Sequence, residues 1–237
     1  MIKLAYCNVE DLDLDKGYGL VSSARQDKIS RYKFERDKLL SCGVFLLLRK
    51  MLDGVGVVEP EFKIGKYGKA YISNYENIYF NLSHCNKIVV CGISDKEIGV
   101  DVEYNDPSID LNIAKNYFYN EEYENIKKSK NPKNEFFKYW VLKESYMKYT
   151  GLGFNLKLDS FTITINKKIK LKNDKNNIKF SLFNIKDYKI ATAAKYPVSK
   201  CEKYEINELY YWIYFSIDDL TVPDKPIVVI LIFLLLL

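Results

Sequence analysis

Residues 98–103 read Ile98-Gly99-Val100-Asp101-Val102-Glu103, and this stretch decides the fold class. Apolar and acidic side chains alternate with the period of two that a strand sends to opposite faces. Val100 and Val102 go to one side. Asp101 and Glu103 go to the other, about 7 Å apart along the chain. Working outward toward the N-terminus, Lys87 to Ser94 and Ile78 to Ser83 read as two more strands, and Lys3 to Asn8 as an opening one. Between them, Gln26 to Leu52 reads as one helix, with Leu40, Val44, Leu47, Leu48 and Met51 at three- and four-residue spacing. Gly54 and Gly56 stop it, and Gly65-Lys66-Tyr67-Gly68-Lys69 is a turn cluster. On the other side, Pro107 breaks the pattern, and Ile109, Ile113, Tyr117 and Phe118 form a helical stripe. Lys127 to Asn134 reads as a solvated turn. A second long helix follows, with Asn131 as N-cap, Pro132 at its first position and Gly151 at its end. Phe161 to Ile165, Phe180 to Phe183 and Tyr188 to Lys195 are strands, and Lys167 to Lys179 is a hairpin loop. Strands and helices mix, with antiparallel hairpins, so the class is α+β. No internal repeat and no linker stand out.

The chain has 237 residues, 48% hydrophobic and 28% charged, with 11 glycines and 6 prolines. That mixture excludes collagen-like, low-complexity and wholly disordered readings. The net charge of +5 permits an anionic ligand without demanding nucleic acid. Cys7, Cys42, Cys85, Cys91 and Cys201 cannot all pair and form no C-x-x-C, so reduced thiols in the cytoplasm are expected. His84 is the one histidine, which excludes any site built on two. The N-terminus has no apolar signal core. Residues 227–237 are eleven apolar residues, half of the roughly 20 a membrane span needs.

Four groups of residues can carry chemistry. Asp101 and Glu103 share one face just after a core strand and can hold one hard cation, or be two solvated acids. Trp140, Glu144 and Lys148 lie one turn apart on one helical face, suited to metal binding and proton transfer, or to a plain ion pair. Lys143 lies about 100° round the helix from Glu144 and would serve a different part of a ligand. Ser83 and His84 are strand neighbours facing opposite sides, so they are a poor nucleophilic pair but a reasonable ligand contact. The basic run Arg25, Lys28, Arg31, Lys33, Arg36 and Lys38, followed by Ser41, suits phosphates or a solvated helix face.

These groups occur in one order: the basic helix with Ser41, Tyr67-Gly68-Lys69, Phe80-Asn81-Leu82-Ser83-His84, Gly99-Val100-Asp101-Val102-Glu103, then Trp140 through Lys148. In that order, from about residue 1 to about residue 210, the chain resembles the long, surfactin-synthetase-activating (Sfp-like) type of 4′-phosphopantetheinyl transferase. The resemblance implies two similar α/β halves related by a pseudo-twofold, with the site between them. Residues 1–97 would supply nucleotide and 3′-phosphate contacts, residues 98–210 the metal and catalytic motifs, and 211–237 an unassigned tail.

The activity it implies moves the phosphopantetheine arm of coenzyme A to a serine of an apo acyl, peptidyl or polyketide carrier protein, releasing adenosine 3′,5′-bisphosphate. Mg²⁺, or Mn²⁺, would sit on Asp101, Glu103 and Glu144. Glu144 would act as base and Lys148 on the leaving phosphate. Arg25, Lys28, Ser41 and His84 match family positions around the 3′-phosphate, Lys69 and Ser83 positions at the nucleotide end, and Lys143 one near the phosphates. Ala70 stands where the family often has proline, and Arg25 replaces a common lysine. A cytoplasmic monomer without a membrane span or nucleic-acid partner is expected, acting in nonribosomal peptide or polyketide biosynthesis. The alternatives are a catalytically inactive carrier- or coenzyme-A-binding module and a basic nucleic-acid-binding protein.

Overall fold

The computed structural model describes residues 1–210, so the apolar run 227–237 and the rest of the tail lie outside the described residues. The chain runs β1 (Ile2–Asn8), α1 (Leu14–Gly19), α2 (Ser23–Ser30), α3 (Glu35–Asp53), β2 (Phe62–Ile64), β3 (Ala70–Ile72), β4 (Tyr79–Cys85) and β5 (Ile88–Ser94). It continues with β6 (Ile98–Tyr104), α4 (Asn112–Tyr117), α5 (Asn120–Lys128), α6 (Pro132–Thr150), β7 (Ile163–Ile165), β8 (Ile169–Leu171), β9 (Lys179–Ile185), β10 (Tyr188–Ala194), β11 (Glu202–Tyr204) and α7 (Ile206–Tyr210).

The class is α+β, and the element order occurs twice. A seven-residue strand is followed by short helices, a 19-residue helix, a small hairpin and a hairpin of seven-residue strands. Strand orders are β1-β5-β4 in one copy and β6-β10-β9 in the other, all antiparallel. Registers agree as well: Ile2 faces Ser94 and Asn8 faces Ile88, while Ile98 faces Ala194 and Tyr104 faces Tyr188. This repeat is invisible in the sequence because the two copies satisfy the same geometry with different side chains. Two smaller expectations also change. The single helix over 26–52 is two, α2 and α3, separated at residues 31–34, and the loop over 167–179 contains the strand β8.

Each long helix covers one sheet, and the sheets pack on each other. Cys7, Leu47, Leu48, Val89, Cys91 and Ile93 fill the layer between α3 and the first sheet. Leu4, Val90, Ile98, Val100, Val102 and Ile190 fill the layer between sheets. Val90 and its neighbours Val89 and Cys91 thus serve opposite layers, as strand alternation requires. Helix α6 starts where the Asn131 side chain accepts from Asn134 N at 3.1 Å, with Pro132 at its first position. It ends where Gly151 takes φ 70°, a left-handed conformation that costs glycine nothing.

Two contacts place α6 and β4 against β6. A Cβ on Gly99 would overlap the carbonyl oxygen of Ser145 and the amide nitrogen of Tyr149, so glycine is what lets the α6 backbone lie on the strand. On the other side, β4 does not pair with β6 as a ladder. Instead Asn81 Oδ1 accepts from Val100 N at 2.8 Å, and Ser83 Oγ accepts from Val102 N at 3.4 Å. Side chains two apart on β4 thereby satisfy amides two apart on β6. Beyond the second copy, the chain returns to the first. Strand β11 pairs in parallel with β1, Leu209 of α7 is buried in the first core, and Asp13 N donates to the Tyr210 hydroxyl at 2.8 Å.

Replacing Gly99 by alanine forces α6 off β6. We expect a loss of about 2–3 kcal/mol, the upper part of the overpacking range, measured by urea unfolding. Gly54→Ala, whose Cβ would approach nothing closer than 3.5 Å, serves as the control.

Candidate active site

The seam between β4, β6 and α6 gathers the acids, the lysine and the serine. Asp101 is 3% exposed. Its Oδ1 accepts from Lys148 Nζ at 2.6 Å and from Ser83 Oγ at 2.9 Å. Lys148 also donates to Ser83 Oγ at 2.8 Å. The serine hydroxyl therefore donates once and accepts twice, from Lys148 and Val102 N, which is its full capacity. Among the described residues, the buried Asp101 Oδ2 has no hydrogen-bond partner. Glu103, two residues on, accepts from Trp140 Nε1 at 3.0 Å and lies 3.6 Å from the Cys85 thiol. Glu144 stands half-buried one turn from both Trp140 and Lys148.

Burial, offset by Lys148, raises the Asp101 carboxyl above the usual carboxylate range. Glu103 is pushed up to about 7 by burial and then by the charge of Asp101. Glu144 is raised by the same two causes. Three acids thus crowd one region and resist sharing it as anions.

Among the described residues, no three Asp, Glu, Cys or His side chains are already gathered as a metal's ligand set. The donors nevertheless fit a hard dication in kind. All three are carboxylates, their mutual repulsion is what a cation relieves, and Asp101 Oδ2 is a buried acceptor with nothing to accept from. Asp101, Glu103 and Glu144 would hold it.

A basic strip continues from the seam. His84 faces solvent while Ser83 faces inward, as adjacent strand residues must. Surrounding protein, then the cations of Lys148 and Lys28, hold its imidazole below the usual range. Burial and then Arg25 lower Lys28. Arg25 reaches Ser41 Oγ at 3.4 Å from α2 and lies over the Phe45 ring, 4.8 Å from its centroid. The structure therefore brings Arg25, Lys28, Ser41, His84, Ser83 and Lys148 into one band beside the acids.

Two expected contacts lie elsewhere. Lys143 is completely enclosed. It pairs with Glu122 at 2.8 Å, donates to Leu158 O at 2.7 Å and Phe161 O at 2.9 Å, and lies 4.2 Å from the centre of the Phe161 ring. Its three protons are spent, so the expectation of a phosphate contact is corrected: one step round α6 from Glu144 points into the core. Glu122 matches it, accepting in addition from Tyr119 N and Ile163 N. Lys69 donates to Glu97 Oε2 at 2.6 Å, Ile98 O at 3.1 Å and Tyr149 O at 3.2 Å. It ties the β2–β3 hairpin to the start of β6 and the end of α6, and no proton is left over for a nucleotide. It also borders a cavity of about 230 Å³ with Tyr79 and Thr150.

The structure adds residues that sequence reasoning did not give roles. Asn81 sets the β4–β6 register, Cys85 and Trp140 touch Glu103, and Glu122 neutralises Lys143. Asn81 had a signal, since it shares a strand face with Ser83. Glu122 had none, because its partner is 21 residues away on another helix.

The family described as the 4′-phosphopantetheinyl transferase superfamily matches residues 97–195. A 4′-phosphopantetheinyl transferase of Bacillus subtilis is 31% identical over 160 residues, 64% of this chain and 69% of its own. The gsp 4′-phosphopantetheinyl transferase of Aneurinibacillus migulanus is 36% identical over 151 residues, 62% of each chain. The Sfp 4′-phosphopantetheinyl transferase of Bacillus subtilis strain 168 is 28% identical over 187 residues, 75% of this chain and 83% of its own.

Lys143→Met alone strands the buried Glu122 charge and should cost about 3–5 kcal/mol. The double variant Lys143→Met/Glu122→Leu should recover only the part of that due to the stranded charge in urea unfolding, because Leu158 O, Phe161 O, Tyr119 N and Ile163 N lose these side-chain partners. Its coenzyme A affinity, measured by calorimetry, should match wild type, as a core pair requires and a phosphate contact would not allow.

Proposed function

The chain belongs to the 4′-phosphopantetheinyl transferase superfamily, and we propose that it transfers the phosphopantetheine arm of coenzyme A to a serine hydroxyl of an apo carrier protein. The observation that carries the reading is the seam itself. Asp101, with one oxygen held by Lys148 and Ser83 and the other unpartnered, sits beside Glu103 and Glu144 and at the end of a basic band. A phosphoryl transfer needs this pairing of acids for a cation with cations for a phosphate.

Residues 1–97 contribute the band apart from Lys148, and residues 98–210 contribute Lys148 and the acids. Arg25, Lys28, Ser41 and His84 bind and orient the 3′-phosphate, and Ser83 the nucleotide end. Asp101, Glu103 and Glu144 would hold Mg²⁺, which when bound would supply neutralising charge for the pyrophosphate. Glu144, whose proton affinity burial and Asp101 raise, accepts the proton of the carrier serine. Lys148 stabilises the adenosine 3′,5′-bisphosphate that leaves. The acceptor hydroxyl comes from the carrier, so the protein needs no nucleophile of its own. The reading includes a monomer working in the cytoplasm on acyl, peptidyl or polyketide carriers. Among the described residues no helix is long and apolar enough to cross a membrane.

The test is incubation with coenzyme A, Mg²⁺ and an apo carrier, followed by weighing the carrier. It should gain the mass of one phosphopantetheine, and EDTA should abolish the gain. Coenzyme A binding without any gain on several carriers would support an inactive binding module instead. Asp101→Ala should lower transfer at least about 100-fold, as loss of an ion-bearing carboxylate does.

The acids also set a pH dependence. Glu103 titrates at about 7 and must be ionised to hold a cation. At limiting Mg²⁺, transfer should fall as pH drops through 7. Raising Mg²⁺ should move that fall to lower pH, because metal and proton compete for the same oxygens.

A further inference from the structure

Glu103 has a donor at each carboxylate oxygen, and the two donors come from different parts of the chain. Trp140 Nε1 on α6 donates to Oε1 at 3.0 Å. The Cys85 thiol at the end of β4 lies 3.6 Å from Oε2. The indole is itself fixed. Its ring stacks on Phe136 at 5.6 Å and 24° and on Phe118 at 6.0 Å and 27°. Those two phenylalanines stack on each other at 5.6 Å and 3°. An indole nitrogen can only donate, so its aim decides where the carboxylate oxygen rests.

We infer that Trp140 is a positioning residue: its indole N–H, locked by the Phe118–Phe136 stack, orients the Glu103 carboxylate toward the cation shared with Asp101 and Glu144. The inference rests on the proposed role of Glu103 as a cation ligand. Cys85 assists from the other side, its thiol lying 3.6 Å from Oε2. The N–H bond is the stronger of the two, sulfur being a weak donor. Residues that hold a metal's ligands typically matter 10- to 100-fold in metal affinity or activity.

Trp140→Phe keeps an aromatic ring in the stack and removes the N–H. Replacing Trp140 by benzothienylalanine exchanges that N–H for sulfur and changes little else. Both are compared with wild type and Glu103→Gln as full chains, in the presence of coenzyme A. Mn²⁺ affinity is read by electron paramagnetic resonance, and KM and kcat by carrier mass gain. Both Trp140 replacements should weaken Mn²⁺ binding about tenfold. KM for coenzyme A should stay within about twofold, and kcat should recover largely at saturating Mn²⁺. Wild-type Mn²⁺ affinity in benzothienylalanine-140 protein, with Glu103→Gln weakened, would overturn the role of Trp140. Unchanged Mn²⁺ affinity in Glu103→Gln would overturn the cation reading of Glu103 beneath it. Should Trp140→Phe unfold, which thermal melting reveals, the near-isosteric replacement decides the matter alone.

Discussion

A carboxylate taken out of water with half of its oxygens unsatisfied is the constraint on which the rest of this structure depends. Asp101 is 3% exposed, and among the described residues only its Oδ1 has side-chain partners. Enclosing such a group is expensive, and a buried ion pair with Lys148 repays that cost only in part. Neighbouring features serve to keep it there. Gly99 lets α6 lie close enough for Lys148 to reach. Asn81 and Ser83 take up the Val100 and Val102 amides, so the strand edge beside the acid is not left unpaired. The arrangement makes sense as stored electrostatic strain, of the kind found where a charged ligand is to be received.

The doubled architecture explains how a stable protein tolerates this. Ala5 and Cys7 occupy the places on β1 that Asp101 and Glu103 occupy on β6, and both are buried and apolar. Leu47 and Met51 stand on α3 where Glu144 and Lys148 stand on α6, and Leu46 where Lys143 does. One copy therefore fills these positions with apolar side chains and the other with charged ones. The second copy recovers order in part by enclosing Lys143 with Glu122 in a pair whose hydrogen bonds are all made. The fold is one solution used twice, with apolar packing in one place exchanged for charged groups in the other.

Much of this was legible in the sequence because it depends on local periodicity. The strand alternation at 98–103 correctly separated the valines from the acids. The helical spacing of Trp140, Glu144 and Lys148 correctly put them on one face, where Trp140 meets Glu103 and Lys148 meets Asp101. What failed depended on partners far along the chain. Lys143 looked like a second cation for phosphate, because nothing near it in sequence announces Glu122. Lys69 was placed at the nucleotide end by the resemblance, while its acceptors are Glu97, Ile98 and Tyr149. The helix over 26–52 was drawn too long because its basic first part has no strong breaker at residues 31–34. The repeat escaped because fold similarity lies in register and length, and Ala5 does not resemble Asp101.

The return of the chain after β10 carries a consequence for how the molecule is made. Strand β11 flanks β1, and Leu209 and Tyr210 close on the first helical layer. During synthesis, the first copy emerges complete in its own strands yet lacks its outer edge and part of its cover until some 115 further residues have left the ribosome. Throughout that interval an unpaired strand edge and an apolar helix face are open to solvent. The last-made residues described here are thus the ones that seal the first-made ones, so the nascent chain matures from its ends inward and cannot be finished one half at a time.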